Sequence, residues 1–521
     1  MTDILKLNQI FIGSVDAKHE LLTETPEEKN QFLNSFLIPD NFNIEDYTKR
    51  NRYFVTGLKG TGKTAFLRYL SLKIEGKNSH THFVLFKTDF KEEDRKELHK
   101  TGKSTIADTD KDASDDDDYT NTWLWFLYKQ ILHKIESKHI RILSEDENFQ
   151  KFRTCLTSFE EKVDEGVVKK VFPKLKNGTF EFKLGTENNY GKGTVDFEWI
   201  DKEQKIVKFS SLITKTNELF KKLKKSNFPE DSLTFFVDEL ELSFGKSKQY
   251  NRDIRLIRDL IIAIYEINLT AKKNGINLKI IGALRSEVLS VAAAAGKEIN
   301  KVVSDFGMPI NWHQSGGDTR KHPLLKIIYR RIITSETIKG LTDDHDFDSI
   351  WSKYFPPHIQ GKPPHDYILH STWYRPRDII RLLSLGQKLF PNELGFTQQV
   401  FDAIKKEYSA DCWIEHAEEL KTKFTSIQID GIRLLLTGMK SPFTFLEISE
   451  YSERRKEMYN EVEELLKVNK MASILNTLFQ IGIIGNAFPK FRFAFRGDQD
   501  LLIDKSIKVH DALHNFLAIE Y

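Results

Sequence analysis

The segment Gly57-Leu-Lys-Gly-Thr-Gly-Lys-Thr64 constrains this chain more than any other eight residues. It matches the pattern G-x-x-x-x-G-K-[ST], and its setting suits that pattern. Arg52–Thr56 reads as a buried strand before it, and a helix is expected from Thr64 onward. Glycines in such a turn let backbone N–H groups point inward around a triphosphate. Lys63 can then reach the β- and γ-phosphates, Thr64 offers a hydroxyl to Mg2+, and the helix adds its positive end. The expected phosphate-binding set is Gly57, Gly60, Thr61, Gly62, Lys63, Thr64 and Ala65. The strand–turn–helix order belongs in an α/β fold with a parallel sheet.

Further strands are expected at His82–Phe86, Leu233–Val237, Leu278–Leu284 and Met308–Trp312, with helices over Thr122–Ile135 and Asp253–Lys272. The run Leu233-Thr-Phe-Phe-Val ends in Asp238-Glu239, which puts Asp238 beside a metal and Glu239 where a carboxylate can polarise water. Arg285 closes the next strand, where it faces a γ-phosphate or is a plain surface arginine. Tyr374-Arg375-Pro376-Arg377-Asp378 opens a helix, Pro376 suiting its first turn, and Arg377 at that start can fold over a nucleotide.

Four segments follow from these patterns: a lead-in over 1–50, a core over 51–320, a mostly helical stretch over 321–420 and a final segment over 421–521. Within the core, Thr179–Leu184 and Thr194–Ile200 alternate like the strands of an inserted hairpin. The acidic run from Asp108 to Asp118 reads as a solvated loop. The final segment gives three helical stretches, then strands at Phe491–Phe495 and Ser506–Val509, the order of a winged helix-turn-helix.

The order of these motifs resembles the AAA+/STAND branch of P-loop ATPases, and the origin-recognition ATPases share the plan. Phe11-Ile-Gly-Ser-Val-Asp-Ala17, the Leu-Lys-Gly-Thr-Gly-Lys-Thr loop and Arg375-Pro-Arg-Asp378 are also similar to a group of bacterial P-loop ATPases. The resemblance implies a P-loop core, a helical lid and a C-terminal winged helix. It implies ATP and Mg2+ as ligands, with Ile12 and Gly13 near the adenine, Arg285 as sensor 1 and Arg377 as sensor 2. An arginine at sensor 1 is closer to the STAND pattern than the Asn, Ser or Thr of other AAA+ proteins. The arginine finger stays open among Arg252, Arg255, Arg258, Arg330 and Arg331.

Charge narrows the partners. Lys+Arg 78 against Asp+Glu 76 gives a net of +2, so any nucleic-acid patch must be local. Residues 421–521 hold 14 Lys/Arg and 13 Asp/Glu, and the expected helix Met471–Ile484 is almost wholly apolar, which favours a protein-packing module over a DNA reader. Lys490, Arg492 and Arg496 could still touch a phosphate backbone. Two distant cysteines, Cys155 and Cys412, exclude a disulfide framework and suit a reducing compartment. With no apolar run of membrane length and no secretory signal, a cytoplasmic chain is expected. The resulting expectation is an ATPase acting as a switch or assembly motor, with a homo-oligomer or an effector protein as partner and anti-phage defence as one setting. The alternatives are a DNA-loading ATPase and a non-hydrolysing ATP-binding scaffold.

Overall fold

The computed structural model describes residues 4–21, 24–106, 118–157, 172, 179–181, 206–227, 231–242, 247–312, 318–341, 346–488 and 490–520. The chain divides into two compact units. One comprises 41–59 and 66–310; the other comprises 1–40, 60–65 and 311–521.

The first unit is built on a parallel sheet. Its strands are β1 (Phe54–Gly57), β2 (Ser79–Leu85), β5 (Ser232–Leu240), β6 (Leu278–Arg285) and β7 (Gly307–Pro309), in the order β2-β5-β6-β1-β7. The short strands β3 (Thr179–Glu181) and β4 (Ile206–Lys208) pair with each other, antiparallel. The expected hairpin strand 194–200 lies outside the described residues, as does the acidic run except for Asp118.

Strands β1, β5 and β6 are near-continuous apolar runs because helices cover both faces of a parallel sheet. Ser247–Lys273 packs on β6 and Thr120–Ser137 packs in turn on that helix, together burying Trp123, Trp125, Phe126, Leu256, Ile257 and Ile264. Gly282 lies against Phe54, and a Cβ there would approach the ring to 3.3 Å, so β6 and β1 pack ring against backbone. The parallel order aligns strand ends: Gly57 pairs with Arg285, and Leu85 with Asp238. The expected strand at 308–312 is found as Gly307–Pro309, and the Ile310 N–H still donates to Thr56 C=O at 2.8 Å, so Pro309 falls where its nitrogen owes β1 no bond.

The second unit is mainly helical. Pro323–Ile338, Phe347–Tyr354, Pro364–His370, Pro376–Leu389 and Gln398–Leu420 follow one another, three of them opened by a proline whose missing N–H costs a first turn nothing. Capping boxes at Thr425/Gln428 and Thr444/Glu447 start Ser426–Leu436 and Phe445–Met458. Asn460–Val468 and Met471–Gln480 come next, and β8 (Ile484–Asn486) pairs antiparallel with β9 (Ile507–Val509). The expected strand at Phe491–Phe495 is not formed. That stretch makes one bridge, Asn486 to Arg492, and then a 3-10 turn at Ala494–Arg496. Among the described residues no helix is long and apolar enough to cross a membrane.

Candidate functional site

In the first unit, the carboxyl ends of the central strands carry the polar groups that the sequence singles out. Strand β5 does not stop at Asp238: its register slips between Val237 and Leu240, and Glu239 takes φ of +58°. That left-handed backbone costs a non-glycine residue about 1–2 kcal/mol. Asp238 is 5% exposed, and its Oδ1 accepts the Glu239 N–H at 2.8 Å. Glu239 Oε2 accepts from Thr88 twice, from the backbone N–H at 3.0 Å and from the hydroxyl at 2.6 Å. Arg285 ends β6 in an ion pair with Glu241, which Lys87 also approaches at 3.1 Å. Burial pushes the Glu241 carboxyl up, but Arg285 and Lys87 outweigh it and hold the group below its ordinary value. Arg285 is therefore an anchored cation. Its partner Glu241 escapes sequence reading, although it is the third acid of Asp-Glu-Leu-Glu241.

In the second unit, the turn 60–65 holds two backbone conformations that only glycine adopts without strain, Gly60 at φ +81° and Gly62 at +96°. The helix Lys63–Ile74 begins directly after them. Lys63 and Thr61 are buried, Thr64 and Ala65 partly so, and Thr61 C=O accepts from the Trp312 indole at 2.8 Å. The two arginines of Arg375-Pro-Arg377 flank Gly60: a Cβ on that glycine would lie 3.3 Å from Arg377 Cβ and 3.4 Å from Arg375 Cδ. The Arg377 amide donates to Gly60 C=O at 3.4 Å. Its side chain pairs with Glu415 at 3.0 Å and donates to Val15 C=O at 3.2 Å, while Arg375 reaches Glu419 at 3.6 Å. Tyr374 just before them has φ of +53°, a further strained residue beside the turn.

Ile12 and Gly13 belong to this same unit. Ile12, Leu324, Ile328, Pro376, Ile379 and Leu383 line a small apolar pocket, which Arg331 also borders. The pocket thus joins the N-terminal segment to the helices that carry Arg331 and Arg377.

The finger candidates separate by burial. Arg252 forks onto Glu92 at 2.8–2.9 Å and also bonds Asp253; Arg258 is fully buried against Asp259; Arg331 is 6% exposed and pairs with Glu20. None of the three can reach out of the chain. Arg330 is exposed, with one bond to Phe36 C=O, and Arg255 is partly exposed. In the final segment, helix Met471–Gln480 turns Ser473, Asn476 and Gln480 outward and buries Ile474, Leu475, Leu478 and Phe479.

Residues 322–414 match a family described as the FunZ-associated C-terminal helical domain, which covers the five helices from Pro323 into Gln398–Leu420. No curated protein matches the chain.

Proposed function

We propose that this chain is a P-loop ATPase that uses Mg2+ and works as a nucleotide-dependent switch. The observation that carries the reading is the strand order. One parallel sheet brings the carboxyl ends of β1, β6 and β5 side by side, and those ends hold Gly57, Arg285 and Asp238-Glu239. Open α/β sheets bind ligands at the carboxyl ends of their strands. The glycine turn after β1 supplies backbone N–H groups and Lys63 for phosphates.

Mg2+ fits the donors present. Thr64 hydroxyl and Asp238 carboxylate are hard oxygens, and a nucleotide-borne Mg2+ takes one or two protein oxygens besides phosphate and water. Among the described residues no three His, Cys, Asp or Glu gather as a metal cage, and such an ion needs none. Thr64 and Asp238 would be its protein ligands, and such an ion would supply charge neutralisation for the phosphates. Glu239 orients the attacking water, and Lys63 offsets charge on the phosphates. Arg377 reports the γ-phosphate to the helices that follow, which form the lid; residues 421–521 form the winged helix.

Two features favour a switch over continuous turnover. Glu239 is engaged by Thr88, so it must leave that partner to orient water. Arg377 is engaged by Glu415, so a γ-phosphate competes with a carboxylate for it. A protein partner suits the final segment better than DNA, since its apolar-backed helix presents no cation and Met458 and Val468 are 68% and 76% exposed. The test is Lys63→Ala. ATP affinity by calorimetry should fall at least a hundredfold and phosphate release should stop. Unchanged affinity in a folded variant sinks the reading.

A further inference from the structure

A cavity of about 610 Å³ opens in the second unit, where Leu37 meets the first turns of Pro323–Ile338 and the start of Phe347–Tyr354. Small-ligand sites commonly measure about 300–1,000 Å³. None of its lining residues belongs to the turn 60–65 or to the small apolar pocket beside Ile12.

One wall is aromatic and backed from behind. Tyr329 and Phe347 meet with ring centres 5.1 Å apart. Phe347 is the outer member of a stack that continues through Trp351 at 5.4 Å, Phe355 at 4.3 Å and Phe396 at 5.2 Å. Trp351, Phe355 and Phe396 are buried, whereas Phe347 is half-buried and faces the cavity. A ring held this way has little freedom left to lose when a ligand arrives, which lowers the cost of binding. The Phe36 C=O accepts from Arg330 at 3.3 Å and so ties the segment carrying Leu37 to the same helix.

The rim is cationic. Arg320, Lys321, Lys326 and Arg330 line it against two acids, Asp318 and Asp348. Asp318 is already engaged: it accepts the Arg320 N–H at 3.1 Å as the cap of Thr319–Lys321, and it pairs with the Arg320 side chain at 3.5 Å. Lys321, Lys326 and Asp348 make no ion pair among the described residues. Lys326 and Arg330 stand one helical turn apart, and the first turn of Pro323–Ile338 carries no acid. Like charges at that spacing repel, and Lys326 near the helix start also opposes the dipole. An anion in the cavity would offset both costs.

We propose that this cavity binds a nucleoside monophosphate, at a site separate from the glycine turn. The base lies against Tyr329 and Phe347, and the phosphate lies among Lys321, Lys326 and Arg330. Aromatic faces stack on any base, and lysine and arginine hold phosphate by charge-assisted bonds. Asp348 favours a nucleotide over other flat anions. Its carboxylate can accept from a base amine or a ribose hydroxyl, whereas a phosphorylated phenol offers it no donor.

The experiment is calorimetry on the full chain with AMP and UMP, beside ribose 5-phosphate, which lacks the base, and adenosine, which lacks the phosphate. Wild type should bind at least one of the nucleotides at least tenfold more tightly than either fragment. Lys326→Gln/Arg330→Gln, which changes two exposed side chains, should lose at least tenfold in nucleotide affinity. Phe347→Leu should bring nucleotide affinity toward that of ribose 5-phosphate and leave the latter within twofold. Lys63→Ala should keep nucleotide monophosphate affinity within twofold, and its ATP affinity decides the P-loop reading separately. A wild type that binds neither nucleotide, or binds ribose 5-phosphate as tightly, overturns the proposal. Binding lost in Lys63→Ala but kept in both cavity variants also overturns it and leaves the phosphate site at the glycine turn standing.

Discussion

Glu239 offers a test in which stability and activity should move in opposite directions. Its φ of +58° costs about 1–2 kcal/mol. Asparagine tolerates this region better than glutamate, so Glu239→Asn should recover about 1 kcal/mol. The shorter side chain gives up both bonds to Thr88. Thr88 is exposed and water can replace them, so that loss is about 0.5 kcal/mol. The net gain of about 0.5 kcal/mol corresponds to a rise of roughly 1–2 °C in melting temperature for a domain of this size. Glu239→Gln keeps the length, the strained backbone and an oxygen that can accept from Thr88, so its melting temperature should stay within about 1 °C of wild type. On the ATPase proposal both variants lose the carboxylate that would orient water, and they should then lose about 10²–10⁴-fold in turnover, or roughly 3–5 kcal/mol of barrier, with ATP binding retained. Scanning calorimetry and phosphate release supply the two readouts. A Glu239→Asn melting temperature below wild type refutes the strain argument, and turnover within tenfold of wild type refutes the catalytic one.

Arg377→Ala should flatten the difference in protease sensitivity between the ATP and ADP states over residues 320–425, with ADP affinity kept. Digestion patterns as distinct as in wild type end the sensor role, and flattening by Arg375→Ala alone moves it to that neighbour, which also touches Gly60. Acid should weaken the second unit through its histidines. Burial and then Arg375 lower His416 to about 4, and burial drives His510 well below its ordinary 6.5. Both are neutral when folded and take up a proton when unfolded, so their stability is complete above pH 6.5 and is lost as pH falls from there toward 4. For His416 the shift corresponds to about 3 kcal/mol. His416→Phe should lose less melting temperature between pH 7.5 and 5 than wild type; an equal loss rejects the assignment.

The elements that the sequence made readable share one physical basis: a local pattern that alone decides the outcome. Leu233–Val237 and Leu278–Leu284 are strands because both their faces are buried, and an unbroken apolar run records that directly. Pro376 marks its helix start because the ring fixes φ wherever it stands. What escaped reading depends on partners distant in the chain. Nothing near Arg331 announces Glu20, and nothing near Glu239 announces Thr88, 151 positions away. The end of the chain shows why a local pattern can also mislead. Phe491-Arg-Phe-Ala-Phe495 alternates like a strand, yet Phe493 and Phe495 stack on each other at 5.0 Å and both rings approach His510. His510 in turn stacks on Trp373 at 4.0 Å, and the Trp373 indole donates to Gly482 C=O at 2.8 Å. Gly482, at φ +83°, ends the helix that its apolar neighbours would otherwise extend, and it must be glycine because a Cβ there would sit 2.9 Å from Trp373. Ile484–Asn486 is thereby released to pair with β9. The residue that fixes where this last sheet begins is thus Trp373, two positions before Arg375, and the same short segment packs against the final β-pair at one end and Gly60 at the other.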